Sequence, residues 1–464
     1  MIAPQTFWAP RAWVDGRWQE HVLLEVGSDG RWSAISSGVS AAPTGAVTLQ
    51  GPALPGLVNA HSHAFQRAFA GLAERREGES DDFWSWRERM YRVALRITPA
   101  QLRAVATHLY VELLRGGYTQ VCDFHYLQHQ SDGSPYADPL TLSWSLADAA
   151  ADARIGLTLL PVLYERAGFA QAELRDDQRR FATSAESVWA AQQRITAAGR
   201  PLVNAGVAIH SLRAAVPASI HRLRNLAEGF GGPIHIHVAE QVQEVSDCQA
   251  ASGAHPVEWL AREGLLDARW QLVHATHVTP AEIDAVAASG AAAVLCPSTE
   301  ANLGDGLTDV PRWLESATPL ALGSDSHVTR AWREELRLLE YGQRLSLRQR
   351  NVAAAPARGQ PATAARLFSR VASGGAAAAG RRAWGLVAGA RADLLVVDTQ
   401  DHALLGVPAE HLLDALVFSS PGRPWRDVMV AGRWVITDHR HAQAARIGAD
   451  FAAAMQDLWA GDIA

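Results

Sequence analysis

The stretch that decides the fold is ALPGLVNAHSHA at residues 53–64, where an apolar run ends abruptly in polar side chains. The same pattern recurs along the chain, and its strands should lie buried on both faces, because buried parallel strands read as continuous apolar runs. The later runs are TQVCDF (119–124), GLTLLPVLY (156–164), LVNAGVAIHS (202–211), PIHIHVAE (233–240), QLVHATH (271–277), AAAVLCPST (291–299) and PLALGSDSH (319–327).

Helical stretches lie between these runs. The four clearest each begin with a Ser, Thr or Pro start signal, and three have Gly at or just past the end. They are residues 99–117, 184–199, 280–290 and 329–345. About eight strands alternating with helices predict an α/β fold, a (β/α)8 TIM barrel over residues 54–380. A doubly wound open sheet is disfavoured, because no GxGxxG follows the first strand.

Both ends of the chain read as β structure outside the barrel. The first fifty or so residues are short strands broken by turns. Strand-like alternation returns after the last barrel helix, at WGLVAGARADLLVVDTQ (384–400) and WRDVMVAGRWVITD (425–438). We predict that residues 1–53 and 381–464 pair into one smaller, discontinuous β-sandwich domain, with a last helix near 441–459 packed back on the body.

Composition narrows the class of function. The 464 residues carry a net charge of −6, so neither nucleic acid nor an anionic membrane is expected as a partner. No stretch is long and apolar enough to span a bilayer, and the N-terminus lacks a signal-peptide core. Cys122, Cys248 and Cys296 are far apart and show no CxxC spacing, which favours reduced thiols in the cytoplasm. Cys296 is interpreted as a small buried residue.

Histidines lie at the C-terminal ends of the apolar runs, where barrel enzymes build their active sites. His61 and His63 close the first run, and residues two apart in a strand face the same side. His235 and His237 close another, of which we select His237 because it lies nearer the C-terminal end. His235 is then a residue of the barrel interior or a support for a ligand.

Two further runs end in His274 and Asp325, so separate strand ends supply several imidazoles and one carboxylate. This donor set suits one divalent ion of intermediate hardness. Zn²⁺ is the first candidate, with Fe²⁺ or Mn²⁺ as alternatives. The chain contains no lysine, so the carbamylated lysine that bridges the metals of many two-metal barrel hydrolases is impossible. A single metal is therefore favoured, and a Glu or Asp bridge is the remaining route to a second ion.

This pattern resembles the amidohydrolase superfamily, in particular its mononuclear, deaminase-like branch, and the resemblance covers nearly the whole chain. More closely, several segments are similar to the formimidoylglutamate deiminases. They are HSHAFQRAFAG (61–71), CDFHY (122–126), AIHSLRA (208–214), HVAEQ (237–241), VHATH (273–277), CPSTEANLGDG (296–306) and GSDSH (323–327). The resemblance implies hydrolysis of N-formimidoyl-L-glutamate to N-formyl-L-glutamate and ammonia, a step of histidine degradation, by a homodimer.

The resemblance and the chemistry together suggest a role for each residue. The expected metal ligands are His61, His63, His237 and Asp325. Asp325 is also expected to take the proton of the attacking water. His274 would donate to the developing tetrahedral centre, and Glu240 would protonate the leaving nitrogen.

A substrate with two carboxylates calls for arginine and hydroxyl donors. Arg213 and Tyr126 follow barrel strands, and Gln66 follows the HSH motif. Arg87 lies in FWSWRERMYR, where a solvated helix face is the alternative interpretation. The resemblance matches the family's substrate contacts to Gln66, Arg87, Tyr126, His210 and Arg213.

Two other functions stay open at this point. A deaminase of the same branch that acts on a purine, pterin or triazine ring would share the metal set but need an aromatic slot in place of the carboxylate clamp. A catalytically inactive barrel that serves as a scaffold is the second, although inactive relatives usually lose ligands and this chain keeps all of them.

Overall fold

The N-terminal segment forms the short strands that its turn-rich sequence predicts. The structure is a computed structural model that describes residues 2–76 and 81–460; residues 1 and 461–464, assigned to the small domain from the sequence, lie outside the described residues. The first strands are β1 (Gln5–Val14), β2 (Arg17–Val26), β3 (Trp32–Ser36), β4 (Val47–Thr48) and β5 (Ala53–Leu54). Asp15 and Gly16, both with positive φ, make the two-residue turn between β1 and β2.

The apolar runs form the parallel strands of a closed barrel. They are β6 (Leu57–Ser62), β7 (Tyr118–His125), β8 (Gly156–Leu163), β9 (Val203–Ala205), β10 (Val207–Ile209), β11 (Ile234–Val238), β12 (Trp270–His274), β13 (Ala292–Leu295) and β14 (Leu320–Leu322). The order is β10-β11-β12-β13-β14-β6-β7-β8-β9, and β10 also pairs with β8, which closes the ring. Gly206 separates β9 from β10 within one predicted run, so the nine pieces fill eight positions. The predicted (β/α)8 barrel is confirmed.

The C-terminal strands complete a second sheet that begins at residue 5. They are β15 (Leu394–Val397), β16 (Trp425–Val430), β17 (Arg433–Thr437) and β18 (Arg440–His441). The order is β18-β17-β16-β15-β5-β1-β2-β3, with β4 beside β1. The two chain ends meet where β15 pairs antiparallel with β5, Leu395 opposite Leu54. The predicted small, discontinuous β domain is thus confirmed as one mostly antiparallel sheet.

The helices surround the barrel and flank the second sheet. They are α1 (Phe83–Arg96), α2 (Pro99–Arg115), α3 (Thr141–Ala153), α4 (Ala185–Ala197), α5 (Pro217–Leu226), α6 (Val242–Ser252), α7 (Pro256–Arg262), α8 (Pro280–Ser289), α9 (Pro297–Leu303), α10 (Val310–Glu315), α11 (Trp332–Leu347), α12 (Thr363–Ala378), α13 (Leu412–Phe418) and α14 (Ala444–Trp459). None of these described helices is both long and apolar enough to cross a membrane.

Three of the four start signals read from the sequence lie at helix starts: Ser184 caps α4, while Pro99 and Pro280 are the first residues of α2 and α8. The residues before these prolines, Thr98 and Thr279, are the caps, and each accepts a hydrogen bond from a backbone N–H in the first turn. The fourth signal, Thr329, does not cap α11, which begins at Trp332. Its hydroxyl instead donates to the Glu334 carboxylate, so the loop after β14 runs three residues longer than predicted.

The C-terminal end of α12 reaches the barrel interior at the end opposite the polar strand termini. The last carbonyls of a helix have no partner within the helix. In α12 they are satisfied by barrel side chains: Ala378 O accepts from His235 Nε2 at 3.0 Å, and Ala379 O accepts from Thr158 Oγ1 at 3.2 Å and Asn204 Nδ2 at 2.9 Å. Burial lowers the pKa of His235 to about 4, so its ring is neutral. His235 is therefore a residue of the barrel interior, as interpreted from the sequence.

The approach of α12 to the barrel requires glycine. A methyl group on Gly374 would overlap the carbonyl oxygen of Leu320 in β14, and one on Gly375 would lie 2.9 Å from Val58 Cβ in β6. The helix backbone thus rests directly on β14 and β6, the last and first strands of the barrel. Glycine inside a helix is otherwise unfavourable by roughly 0.5–1 kcal/mol relative to alanine, so packing decides these positions.

We expect Gly374→Ala to lower the free energy of unfolding by about 1–3 kcal/mol, because the added methyl group must push the helix off β14. Gly448→Ala in α14 is the matched control, since a methyl group there meets no atom within 4 Å. That variant should be neutral or stabilised by roughly 0.5–1 kcal/mol. Urea unfolding followed by circular dichroism compares the two, and equal midpoints would contradict the close packing.

Candidate metal centre and active site

The C-terminal ends of the barrel strands surround a narrow pocket. Every residue predicted for the site except His61 lines it; His61 is fully buried beside it. The predicted residues in the lining are His63, Gln66, Arg87, Tyr126, His210, Arg213, His237, Glu240, His274 and Asp325. Residues from distant parts of the chain therefore meet at one rim, as the alternation of strands and helices predicts.

The candidate donor atoms lie in two groups that share His61: those of His61, His63 and Asp325 lie within 4.8 Å of one another, and so do those of His61, His237 and His274. The Nε2 atoms of His61 and His237 are 3.0 Å apart, and Asp325 Oδ1 lies 3.3 Å from His61 Nε2 and 3.4 Å from His63 Nε2. Metal–ligand bonds of about 2.0–2.1 Å place neighbouring donors of a tetrahedral site roughly 3.3 Å apart. The spacing and the chemistry of these side chains fit a single divalent ion.

The protonation states of the four residues also suit metal binding. His63 Nδ1 lies 2.8 Å from the Phe124 carbonyl oxygen, so it carries the proton and leaves the Nε2 lone pair facing Asp325. Burial lowers the pKa of His61 to about 3 and also lowers the pKa values of His63 and His237. Burial opposes ionisation of Asp325, but the nearby His61 ring holds its pKa well below the usual range. Neutral imidazole and carboxylate are the forms that bind a metal.

Backbone hydrogen bonds tie the last barrel strand to the first at this centre. The Asp325 N–H donates to His61 O at 3.0 Å, and the His63 N–H faces Asp325 O at 3.4 Å. Asp325 has a φ of 42° and His274 a φ of 71°, left-handed values that cost an L-residue of order 1–3 kcal/mol. This turn of the backbone ends each strand and directs its side chain to the rim.

A buried polar network supports the two strand ends from within the barrel, and the sequence interpretation missed it. Asn59 Nδ2 donates to Ser324 Oγ at 2.7 Å, and the Ser324 N–H donates to Asn59 Oδ1 at 2.9 Å. His327 continues the network to Ser324 Oγ at 3.0 Å and to the His63 carbonyl at 3.2 Å. The available signal was that Asn59 and Ser324 interrupt otherwise apolar runs.

Asp123 is a second unpredicted support. Its Oδ2 accepts from the Ala64 N–H at 3.2 Å, from Tyr110 Oη at 3.3 Å and from Ser62 Oγ at 3.4 Å. Ser62 and Ala64 belong to the segment that carries His61 and His63, so Asp123 holds that segment in place. Burial raises the pKa of Asp123 to about 7 against the effect of the donors.

Beside the candidate metal ligands, His274 lies among three carboxylates. Its Nε2 is 3.7 Å from Glu240 Oε1 and 3.9 Å from Asp325 Oδ2, and its Nδ1 is 3.7 Å from Glu300 Oε1. Burial opposes protonation of the His274 ring, but Glu240 raises its pKa well above the usual range. Burial raises the pKa of Glu240 to about 7. The pair can therefore hold and deliver a proton at neutral pH. Glu300, given no role from the sequence, faces His274.

The turn that presents Glu240 is itself held by a buried carboxylate. Glu244 accepts from the Ala239 N–H at 3.2 Å and from the Glu240 N–H at 3.1 Å. Ala239 has a φ of 52°, so the chain leaves β11 in a left-handed turn that Glu244 stabilises. The sequence placed Glu240 near the rim but contained no signal for this support.

Two arginines face the pocket without an acidic partner. Among residues 2–76 and 81–460, neither Arg87 nor Arg213 makes an ion pair, and Arg87 Nε and one terminal nitrogen of Arg213 are buried without a hydrogen bond. Both guanidinium groups lie over the Trp84 ring, with Arg87 Cζ 4.5 Å and Arg213 Cζ 5.5 Å from the ring centre. Arg87 is therefore on the pocket face of α1 and not on a solvated face. Two unpaired guanidinium groups form a site for an anion.

The other predicted contacts complete the wall. Gln66 Nε2 donates to Tyr126 Oη at 3.2 Å, which leaves its buried Oε1 without a partner. The Tyr126 ring centre is 5.0 Å from that of His63. Burial and the nearby Arg213 lower the pKa of His210 well below its usual range, so this ring is neutral. These residues offer amide, hydroxyl and imidazole groups to a bound molecule.

Cys296 lies nearer to the site than its interpretation as a small buried residue implied. The residue is buried, and its Sγ lies within 4.8 Å of donor atoms of His274 and Asp325. Burial raises the pKa of the thiol well above its usual range. The thiolate is the form that binds metals, so the neutral Cys296 is a weaker candidate than the imidazoles. Cys122 and Cys248 are also free and buried.

We expect His63→Ala to weaken divalent-ion binding by more than the 10–100-fold that is typical of losing an outer-shell partner, because a donor atom is removed. His221→Ala is the control, since His221 lies on α5 and pairs with Glu263 at the surface. Elemental analysis of the purified proteins and Zn²⁺ titration against a chromophoric chelator give the comparison. Unchanged metal content in His63→Ala, with a folded circular dichroism spectrum, would remove His63 from the ligand set.

Comparison with known proteins agrees with this geometry. The model of the amidohydrolase family matches residues 53–435. A formimidoylglutamate deiminase from Pseudomonas aeruginosa is 46% identical over 97% of this chain and 98% of its own length. A crystal structure of an amidohydrolase from Brucella melitensis, 41% identical, superposes with a TM-score of 0.92 over 98% of this chain and 99% of its own.

A more distant relative is named for a different activity. A 5-methylthioadenosine/S-adenosylhomocysteine deaminase from Natronomonas pharaonis is 29% identical over 83% of this chain and 81% of its own length. The family model and the near full-length relatives agree with the resemblance drawn from the motifs. This chain belongs to the amidohydrolase family.

Proposed function

We propose that this protein hydrolyses the carbon–nitrogen bond of N-formimidoyl-L-glutamate and releases N-formyl-L-glutamate and ammonia. The observation that carries the proposal is the pair of unpaired arginines, Arg87 and Arg213, that faces a candidate metal centre in the same pocket. The substrate has two carboxylates, which suit such a pair. The Pseudomonas aeruginosa relative, a formimidoylglutamate deiminase, supports the assignment.

The proposed ligands are His61, His63, His237 and Asp325, and the proposed ion is Zn²⁺, with Fe²⁺ or Mn²⁺ as alternatives. A divalent ion held there would lower the pKa of a bound water toward ~7 and so provide a nucleophile at neutral pH. The absence of lysine in the chain supports a single ion.

Asp325 has one oxygen for the metal and one for a proton. Its Oδ1 faces His61 and His63, while its Oδ2 is directed toward His274 Nε2 at 3.9 Å. The second oxygen is thus free to take a proton from the attacking water. The protonated ring of His274 can donate a hydrogen bond to the tetrahedral centre and so stabilise the negative charge that develops there.

Glu240 is the proposed acid for the departing nitrogen. Its carboxyl lies at the pocket, 3.7 Å from His274, and burial raises its pKa to about 7, so it can hold a proton near neutral pH. Water adds to the formimidoyl carbon, the imine nitrogen gains protons, and the bond from that carbon to this nitrogen breaks. The carbon keeps its bond to the glutamate nitrogen, and ammonia leaves.

Arg87, Arg213, Gln66, Tyr126 and His210 are the proposed substrate contacts. All five line the pocket. The two guanidinium groups would bind carboxylate, while the neutral side chains would orient the formimidoyl group. Burying an unpaired cation costs free energy. A bound dianion would pair with both arginines and remove this cost, whereas a neutral ring would not.

A ring deaminase of the same branch is the alternative function. The relative from Natronomonas pharaonis and the aromatic residues Phe83 and Trp86 in the lining favour it. The unpaired arginines argue against it, because a neutral ring leaves both without a partner. Metal-free protein that is nevertheless stable would instead support a scaffold role.

The cellular setting is also a proposal. The free, buried cysteines are consistent with the cytoplasm, and related enzymes suggest a homodimer that acts in histidine degradation. The direct test of the function is ammonia release from a panel of formimidoylglutamate, guanidino acids, guanine and methylthioadenosine. Turnover of a purine with formimidoylglutamate ignored would overturn the proposal.

We expect Glu240→Gln to lower kcat by about 10²–10⁴-fold while retaining the metal, because the amide cannot deliver a proton. Glu228→Gln, on the loop after α5, serves as the surface control. Ammonia release by a coupled assay and metal content by elemental analysis are measured on the same preparation. Near-normal turnover in Glu240→Gln would remove this residue from the mechanism.

We expect Arg213→Met to raise KM for formimidoylglutamate by about 10–100-fold, since a charge-assisted hydrogen bond contributes roughly 1.5–3 kcal/mol. Arg222→Met is the matched control, because Arg222 pairs with Glu186 on the surface. Steady-state kinetics of the two variants decide the point. If both variants have the KM of the unmodified enzyme, Arg213 does not bind the substrate.

A further inference from the structure

Three polar side chains form a cluster in the pocket wall that the proposed mechanism does not use. Tyr91 lies in α1, Tyr164 directly follows β8, and Gln178 ends the single helical turn Asp176–Gln178. Tyr91 and Tyr164 line the pocket, and Gln178 is fully buried behind them. Gln178 Nε2 donates to Tyr164 Oη at 2.9 Å and to Tyr91 Oη at 3.3 Å.

The orientation of the Gln178 amide is fixed by its other end. Its Oε1 accepts a hydrogen bond from the Arg175 N–H at 3.0 Å, so its NH₂ group must face the two phenols. Each phenol oxygen therefore accepts from Gln178 and cannot direct its own proton back to that amide. If one phenol donates a hydrogen bond to the other, only one of the two hydroxyl protons is engaged. At least one hydroxyl is therefore free to donate into the pocket.

The surroundings of the cluster favour an anion as the acceptor. Arg87 Cζ lies 5.6 Å from the Tyr91 ring centre, and the Tyr164 ring centre lies 4.4 Å from that of His210. Arg175 also lies near Tyr91, but its Nε and one terminal nitrogen donate to Asp177. The unpaired charges beside the phenols are thus those of Arg87, next to Tyr91, and of Arg213, whose charge acts on Tyr164. Burial raises the pKa of Tyr164 well above its usual range, so this hydroxyl stays a donor.

We propose that Tyr91 and Tyr164, oriented by Gln178, donate a hydroxyl hydrogen bond to the substrate carboxylate that Arg87 binds, and so select substrates with two carboxylates. The inference rests on the proposed function and deepens it. A site built to donate to a particular oxygen discriminates strongly against a molecule that lacks it, because the donor is then left buried and unpaired. The two tyrosines are therefore specificity-determining residues.

The test compares substrates as well as variants. Tyr91→Phe and Tyr164→Phe are assayed with N-formimidoyl-L-glutamate and with two analogues that each lack one carboxylate, N-formimidoyl-4-aminobutyrate and N-formimidoyl-2-aminobutyrate. We expect at least one variant to lose about 10–100-fold in kcat/KM on formimidoylglutamate, mainly through KM. On the analogue without the contacted carboxylate, the same variant should match the unmodified enzyme. Equal losses on all three substrates would indicate a structural role and overturn the inference.

Binding provides a second readout that does not depend on turnover. Calorimetric titration with N-formyl-L-glutamate should show a Kd raised by a similar factor in the affected variant. Tyr341→Phe, at a partly exposed position on α11, is the matched control and should leave Kd and KM unchanged. Unaltered constants in both pocket variants would reject the inference alone, provided that the unmodified enzyme turns over formimidoylglutamate. An unmodified enzyme that ignores this substrate would overturn the proposed function and the inference together.

Discussion

The backbone hydrogen bond from the Asp325 N–H to His61 O is the interaction on which the site depends. It joins the end of β14 to the end of β6 and so closes the barrel where the candidate metal ligands lie. The Asn59–Ser324 pair reinforces the same junction from the barrel interior. Because the carboxylate and two imidazoles are carried by these two strand ends, their 3.3–3.4 Å spacing follows from strand closure and not from flexible side chains.

Burial gives the ionisable residues of the pocket different protonation states. It keeps His61 and His63 neutral, while it leaves the Glu240 carboxyl able to hold a proton near pH 7. The same pocket carries the unpaired charges of Arg87 and Arg213. A pocket that combines neutral candidate metal ligands with free cations suits a small, anionic molecule. The proposed deiminase activity follows from that combination.

The barrel, and the meeting of the candidate metal ligands at one rim, could be predicted from the sequence because both depend on local patterns. Continuous apolar runs define the strands, and a polar residue at the end of a run, such as His63 or Asp325, must lie at the rim. The supporting residues could not be predicted in this way. Glu244 and Gln178 lie in helical turns, and their roles depend on tertiary contacts with Glu240 and the pocket phenols that no sequence period records. Asn59 left a signal, since it interrupts an apolar run.

The junction of β5 with β15 has a consequence for how the chain acquires its shape during synthesis. Strands β1 to β5 are synthesised first, but β15, which pairs with β5, is synthesised only after the entire barrel. Until then these first strands have an unpaired edge that can pair with another chain. Completion of the sheet thus depends on synthesis of nearly the whole chain. A product truncated before β15 would leave the edge of the first strands unprotected.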